Sequence, residues 1–271
     1  MVKSNNDDLF KQFYNEGVIS FENLFTEEEL KDLSSDFEGV KKENFSVKFG
    51  EDNFEYLSSK LLNYLKKKNI DHFFEKYFGE ECVCCVAQYT QIKFKNNLLS
   101  DQKLTDEGSE TAFHHDNAGH RLKFNILLSD IDKNSNGLDY AIKSNFPSSL
   151  DKLLVKLFNL FGYFKNYERE FLRYIKRKFI DRKIYNFIEE EKIYKKYIVK
   201  NIYGKRGLSY IFDTNGFHRR SIPDKNLIGE RKLLTYFFIS KRKFDYLSFK
   251  ENKRKYKNSN HIDKNQISLN T

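Results

Sequence analysis

The stretch Phe113-His114-His115-Asp116 sets an imidazole and a carboxylate two residues apart. On a β-strand, residues i and i+2 point to the same face. Two histidines and one carboxylate, with open positions opposite, suit non-haem Fe(II) and its oxygen chemistry. A His-x-Asp alone recurs by chance, so the context decides. A third ligand is offered about a hundred residues on. There Gly207-Leu208-Ser209-Tyr210-Ile211-Phe212 is an apolar strand, and Asp213-Thr214-Asn215-Gly216 is a turn that delivers His218. If His114, Asp116 and His218 serve one ion, the fold must bring their donor atoms to ~2.0–2.2 Å from it. His115 alternates to the other face, and His120 lies past a turn.

Apolar stretches at 82–94, 111–116, 121–129, 136–143, 207–213 and 231–240 read as strands. Residues 8–16 read as a short helix, and Val18-Ile19-Ser20-Phe21 as a strand. Phe25-Thr26-Glu27-Glu28-Glu29-Leu30 carries a capping box, with Thr26 and Glu29 as reciprocal partners. Residues 54–78 read as helix, with Leu57, Leu61, Leu65, Phe73, Phe74 and Tyr77 at helical spacing. Between 150 and 200, Leu153, Leu157, Phe164, Phe171, Ile175 and Phe179 recur every few residues among lysines and arginines. That pattern predicts one or two basic amphipathic helices.

Taken together these motifs resemble the phytanoyl-CoA dioxygenase family, a branch of the Fe(II)/2-oxoglutarate oxygenases. The resembling residues are aromatic Phe113 before His114-x-Asp116, then Leu122-Lys123 to Leu128-Ser129-Asp130-Ile131-Asp132 and Asn136-Gly137. Phe212-Asp213 to His218 follows, and then Arg231 on the last strand. The similarity covers most of 9–145 and 205–240, and not the segment between them. It implies a mainly β fold with flanking helices. The core would be a double-stranded β-helix (a cupin-like jelly roll), with 150–200 as a helical insert. Residues 1–240 would be one domain, and 241–271 a basic, partly disordered tail.

The resemblance further implies that His114, Asp116 and His218 hold Fe(II). Free positions would then take 2-oxoglutarate and O2, and turnover would release succinate and CO2. The far carboxylate of 2-oxoglutarate needs a cation. Arg231 is the natural candidate, because guanidinium binds carboxylate bidentately. Thr235 lies four residues on, on the same face. Tyr89 to Lys95 is similar to the family strand that borders the cosubstrate, which adds Gln91 and Lys95; an ordinary polar strand face is the plainer account of both. The sequence departs from the family in the longer stretch from Arg219 to Gly229. It departs again at Arg220, where a small hydroxyl residue is usual, and at Ile142-Lys143-Ser144-Asn145. Arg219, Arg220 and Lys232, the first two read as loop residues beside the mouth, therefore stay open as alternative anchors.

The net charge of +9 is unevenly spread. Residues 146–200 carry +7, residues 241–271 carry +6, and the remainder −4. The catalytic body is thus slightly acidic, and no nucleic-acid partner is expected. The expected substrate is a small molecule or an acyl-type metabolite. The basic 150–200 segment is a candidate for peripheral membrane or acyl-carrier contact, although packing on the barrel is the plainer account. Three clustered cysteines, Cys82, Cys84 and Cys85, fit buried packing in a reducing compartment. With no apolar run after Met1, a cytoplasmic protein is expected. Two other classes stay open: a metal-binding jelly roll without turnover, and a basic membrane-surface or nucleic-acid binding module.

Overall fold

The order of the strands follows from which faces they bury. In the computed structural model, β4 (Leu122–Leu127) sends Leu122, Phe124 and Ile126 to one side and Lys123, Asn125 and Leu127 to the other. Both faces are covered, and Lys123 and Asn125 alternate with the apolar residues that pack under the helices. The structure describes residues 6–38, 44–94, 113, 114, 116, 121–133, 137–145, 191–221 and 229–245.

Two antiparallel sheets face each other. The larger has the order β1 (Val18–Phe21), β7 (Ser209–Asp213), β4, β9 (Gly229–Ser240), β3 (Cys82–Phe94), β2 (Asn44–Lys48). The smaller has β6 (Val199–Ile202), β5 (Leu138–Ala141) and β8 (His218–Arg220). A bridge between His114 and His218 extends it by one further chain segment. Leu127, Leu138, Tyr140, Tyr210, Phe212 and Leu233 pack into the layer between the sheets. This is the jelly roll that the resemblance implies.

Helices α1 (Asn6–Glu16), α2 (Glu27–Glu38), α3 (Phe54–Lys67) and α4 (Asp71–Phe78) cover the outer face of the large sheet. Aromatic contacts weld them on. Phe74 stacks on Phe238 at 4.2 Å between centroids, and Phe124 meets Phe25 and Phe74 edge-on at 6.2 and 6.4 Å. The capping box forms as predicted. Thr26 Oγ1 accepts from the Glu29 amide at 3.2 Å, and Glu29 Oε2 accepts from the Thr26 amide at 2.9 Å.

Three expectations are corrected. The 54–78 helix is two helices, broken where Asn69 takes φ 57°. The end of the 150–200 stretch is not helical throughout: 191–196 is, but Val199–Ile202 is strand β6, paired with β5. Arg219 and Arg220 are not loop residues, because they pair with Asp139 and Leu138 inside the small sheet. Residues 146–190 of the insert and 246–271 of the tail lie outside the described residues, as do Lys95, His115 and His120. Among the described residues no helix is long and apolar enough to cross a membrane.

Lys243 follows β9 and is buried. Burial, with the Arg121 guanidinium nearby, pushes its ammonium down to about 7. An unfolded lysine titrates near ~10.4. Between those values the unfolded chain binds the extra proton, so stability should rise with pH. The limiting slope is about 1.4 kcal/mol per pH unit. Denaturant unfolding at pH 7.5 and 9, compared with Lys243→Met, should show a rise that the variant lacks. Equal slopes would mean that Lys243 stays charged.

Candidate metal centre

The two histidines are set opposite each other by the main chain. The His114 amide donates to the His218 carbonyl at 2.9 Å, and the His218 amide returns the bond at 2.8 Å. Their ring centroids lie 4.5 Å apart. The Asp116 amide donates to the Thr214 carbonyl at 3.0 Å, which ties the third residue to the turn before β8.

That turn is tightly built. Asp213 Oδ1 accepts from the Asn215 amide at 2.9 Å, its carbonyl accepts from Tyr140 Oη at 3.0 Å, and Tyr77 donates to Oδ2. A Cβ on Gly216 would stand 2.0 Å from Tyr140 Oη, so the close approach of ring and backbone admits only glycine there. The Gly216 carbonyl in turn accepts from His218 Nδ1 at 2.9 Å. That bond fixes the proton on Nδ1 and leaves Nε2 with a bare lone pair.

His114, Asp116 and His218 each offer one donor atom, and the three atoms lie within 4.8 Å of one another. Asp116 Oδ1 is 3.6 Å from His218 Nε2 and 4.0 Å from His114 Nε2. Both spacings are too long for hydrogen bonds and, at bond lengths of ~2.0–2.2 Å, within the span that one ion can bridge. His218 Nε2 is buried and has no hydrogen-bond partner among the described residues. A buried orphan nitrogen is costly unless something fills its lone pair. A divalent metal fits it, and the N, N, O donor set suits iron. The side chains of His218, Asp116 and His114 are 4%, 19% and 29% exposed, so the centre opens on the His114 side.

Asp116 Oδ2 points away from the histidines to Lys123 Nζ, 2.9 Å away. Burial alone would raise the Asp116 carboxyl. The Lys123 ammonium beside it opposes that, and the group is held well below the usual carboxylate range.

The candidate anchors separate by strand face. Arg231 alternates with Leu233 and Thr235, so all three face the small sheet, and all are buried. Arg220 lies opposite Leu138 and His218 opposite Tyr140, both in the inter-sheet layer, so Arg220 also faces inward. Arg219 takes the outer side. Its Nε donates to Asp139 at 2.8 Å, Nη2 donates to Tyr194 at 2.8 Å, and the guanidinium lies 4.5 Å over Phe113. Lys232 lies opposite Gln91 on the outer face and pairs with Glu230 at 2.6 Å. Gln91 is therefore not brought to the inter-sheet face. It donates to Glu230 at 2.9 Å, and Arg231 lies opposite Ile92 instead. Lys123, to which the sequence motifs give no role, alternates with Leu122 and Phe124 and so lies on the inner face.

No protein-family profile matches the chain, and no curated protein matches it by sequence. Solved structures do match. The non-haem α-ketoglutarate-dependent epimerase SnoN from nogalamycin biosynthesis aligns over 87% of this chain and 82% of its own, at 10% identity and a TM-score of 0.52. EctD from S. alaskensis with bound Fe aligns over 89% and 79%, at 11% identity and a TM-score of 0.53. EctD holding 2-oxoglutarate and 5-hydroxyectoine gives a TM-score of 0.52 at 11% identity, over 89% and 78%. At such identities the likeness shows the fold. This chain has the jelly roll found in Fe/2-oxoglutarate-dependent enzymes.

Proposed function

We propose that the chain is an Fe(II)- and 2-oxoglutarate-dependent oxygenase of the phytanoyl-CoA dioxygenase type. The observation that carries the reading is the buried Nε2 of His218, which has no hydrogen-bond partner among the described residues and clusters with the donors of His114 and Asp116. Iron held there would supply the oxygen-activating chemistry by which 2-oxoglutarate and O2 become succinate and CO2 while a substrate C–H bond is oxidised. In a hydroxylation one oxygen atom ends in succinate and the other in the product.

The chain's own residues do the rest. The Gly216 carbonyl fixes the His218 tautomer. Arg231, from β9, binds the far carboxylate of 2-oxoglutarate, and Thr235 adds a hydroxyl on the same face. Leu233, Phe212 and Tyr210 keep the inter-sheet space apolar, which strengthens a guanidinium–carboxylate contact. Asp116 completes the ligand set, so hydroxylation or desaturation is favoured over halogenation, whose enzymes open that position. The substrate we propose is a small molecule or an acyl-type metabolite, in keeping with the resemblance and with the ectoine derivative in EctD. The basic 150–200 segment would meet an acyl carrier or an anionic surface.

The test is turnover. Purified protein with Fe(II), 2-oxoglutarate and O2 should form succinate when offered fractionated metabolite extracts, and chelation should stop it. Iron-independent succinate, or none with any fraction, would count against the reading.

A further inference from the structure

Asp116 has two oxygens, and the fold treats them differently. Oδ1 lies nearest His218 and His114, whereas Oδ2 lies 2.9 Å from Lys123 Nζ. Lys123 comes from β4, on the opposite sheet from His114 and His218. Its ammonium stands 5.7 Å from the Phe212 ring centroid and 5.1 Å from that of Phe237. Those rings flank it on both neighbouring strands, since Lys123 lies opposite Phe212 on β7 and Phe237 on β9. The aromatic faces attract the cation and limit where it can swing. The side chain is 19% exposed, as is that of Asp116, so the pair is largely withdrawn from water.

We infer that Lys123 is a positioning residue that holds Asp116 as a one-oxygen metal ligand. The inference rests on the metal centre proposed above. A free carboxylate can turn and offer both oxygens to one ion, as it does at many oxygen-rich sites. That would consume a coordination position. A three-residue facial set serves oxygen chemistry only while the positions opposite stay open. An ammonium hydrogen-bonded to Oδ2 at 2.9 Å opposes the turn, because turning would leave the largely covered cation without its carboxylate. Outer partners of this kind orient the ligand, and losing them typically costs about 10–100-fold in metal affinity.

The experiment is a Co(II) titration of the full chain, read by visible absorption, with wild type, Lys123→Met, Lys123→Gln and Lys123→Arg. Lys123→Met should bind Co(II) about 10–100-fold more weakly. Its ligand-field band should differ from that of wild type, because the carboxylate is then free to chelate. Lys123→Gln keeps most of the bulk, lacks the charge, and should behave like Lys123→Met; it carries the test if the methionine variant does not fold. Lys123→Arg donates to the same oxygen and should restore most of the affinity and the wild-type band. A role limited to packing would lower the unfolding midpoint and leave the band unchanged. If wild type binds Co(II) and both neutral variants match its affinity and spectrum, or bind more tightly, the role of Lys123 is refuted and the metal centre stands. If wild type takes no Co(II), the metal centre itself fails, and the inference with it.

Discussion

His218→Ala should lose more than about 100-fold in Fe(II) affinity, beyond what the loss of an outer partner costs, and all iron-dependent succinate formation with it. The reason is local. His218 Nε2 is the most buried donor of the three, and its ring is held by the Gly216 carbonyl at 2.9 Å. Alanine keeps the main-chain pair with His114, since both bonds use only N–H and C=O groups. The strand pairing should therefore survive. The variant gives up one ring hydrogen bond but also removes a buried nitrogen that has no partner among the described residues, so the metal-free protein should unfold within about 1–2 kcal/mol of wild type. Equilibrium dialysis against Fe(II) under anaerobic conditions, with denaturant unfolding alongside, separates the two effects. A variant that binds iron as tightly as wild type would remove His218 from the ligand set.

Arg231→Ala should leave Fe(II) affinity nearly unchanged and weaken 2-oxoglutarate by about tenfold or more. A charge-assisted hydrogen bond is worth roughly 1.5–3 kcal/mol, and each 1.4 kcal/mol is tenfold in affinity. Arg231 is buried on the inner face of β9 beside Leu233, on the strand that also carries Thr235. Arg231→Lys should recover only part, because an ammonium lacks the bidentate fork. The control is Arg220→Ala. Arg219 and Lys232 are committed to the outer faces, by Asp139 and Glu230, but Arg220 shares the inner face with His218. Isothermal titration of 2-oxoglutarate into the metal-loaded proteins decides between the two. Loss in Arg220→Ala with none in Arg231→Ala would move the anchor to the small sheet.

The parts of this site that were readable in the sequence are those governed by short-range periodicity. His114 and Asp116 share a face because they are two apart, and the Asp213 to Gly216 turn sets up His218. The parts that were not readable depend on which strand lies next to which. Gln91 fell on the wrong face because the parity of β3 is set by its pairing with β9, and the register shifts at the bulge between Cys84 and Val86. Strand β6 was hidden because Ile198, Val199 and Ile202 continue the apolar spacing of the preceding helical stretch. Lys123 is only seven residues from Asp116, yet its ion pair crosses from one sheet to the other, which no local pattern announces. Arg220 looked like a loop residue until its partner Leu138 was known.

The central claim is that His114, Asp116 and His218 hold iron while leaving room for 2-oxoglutarate. The most direct measurement is the visible absorption of the anaerobic protein as Fe(II) and then 2-oxoglutarate are added. A weak charge-transfer band should appear only when both are present and saturate at one iron per chain. It should be absent from His218→Ala and need more 2-oxoglutarate in Arg231→Ala. No band from wild type at saturating Fe(II) and 2-oxoglutarate, or an equal band from His218→Ala, would contradict the claim.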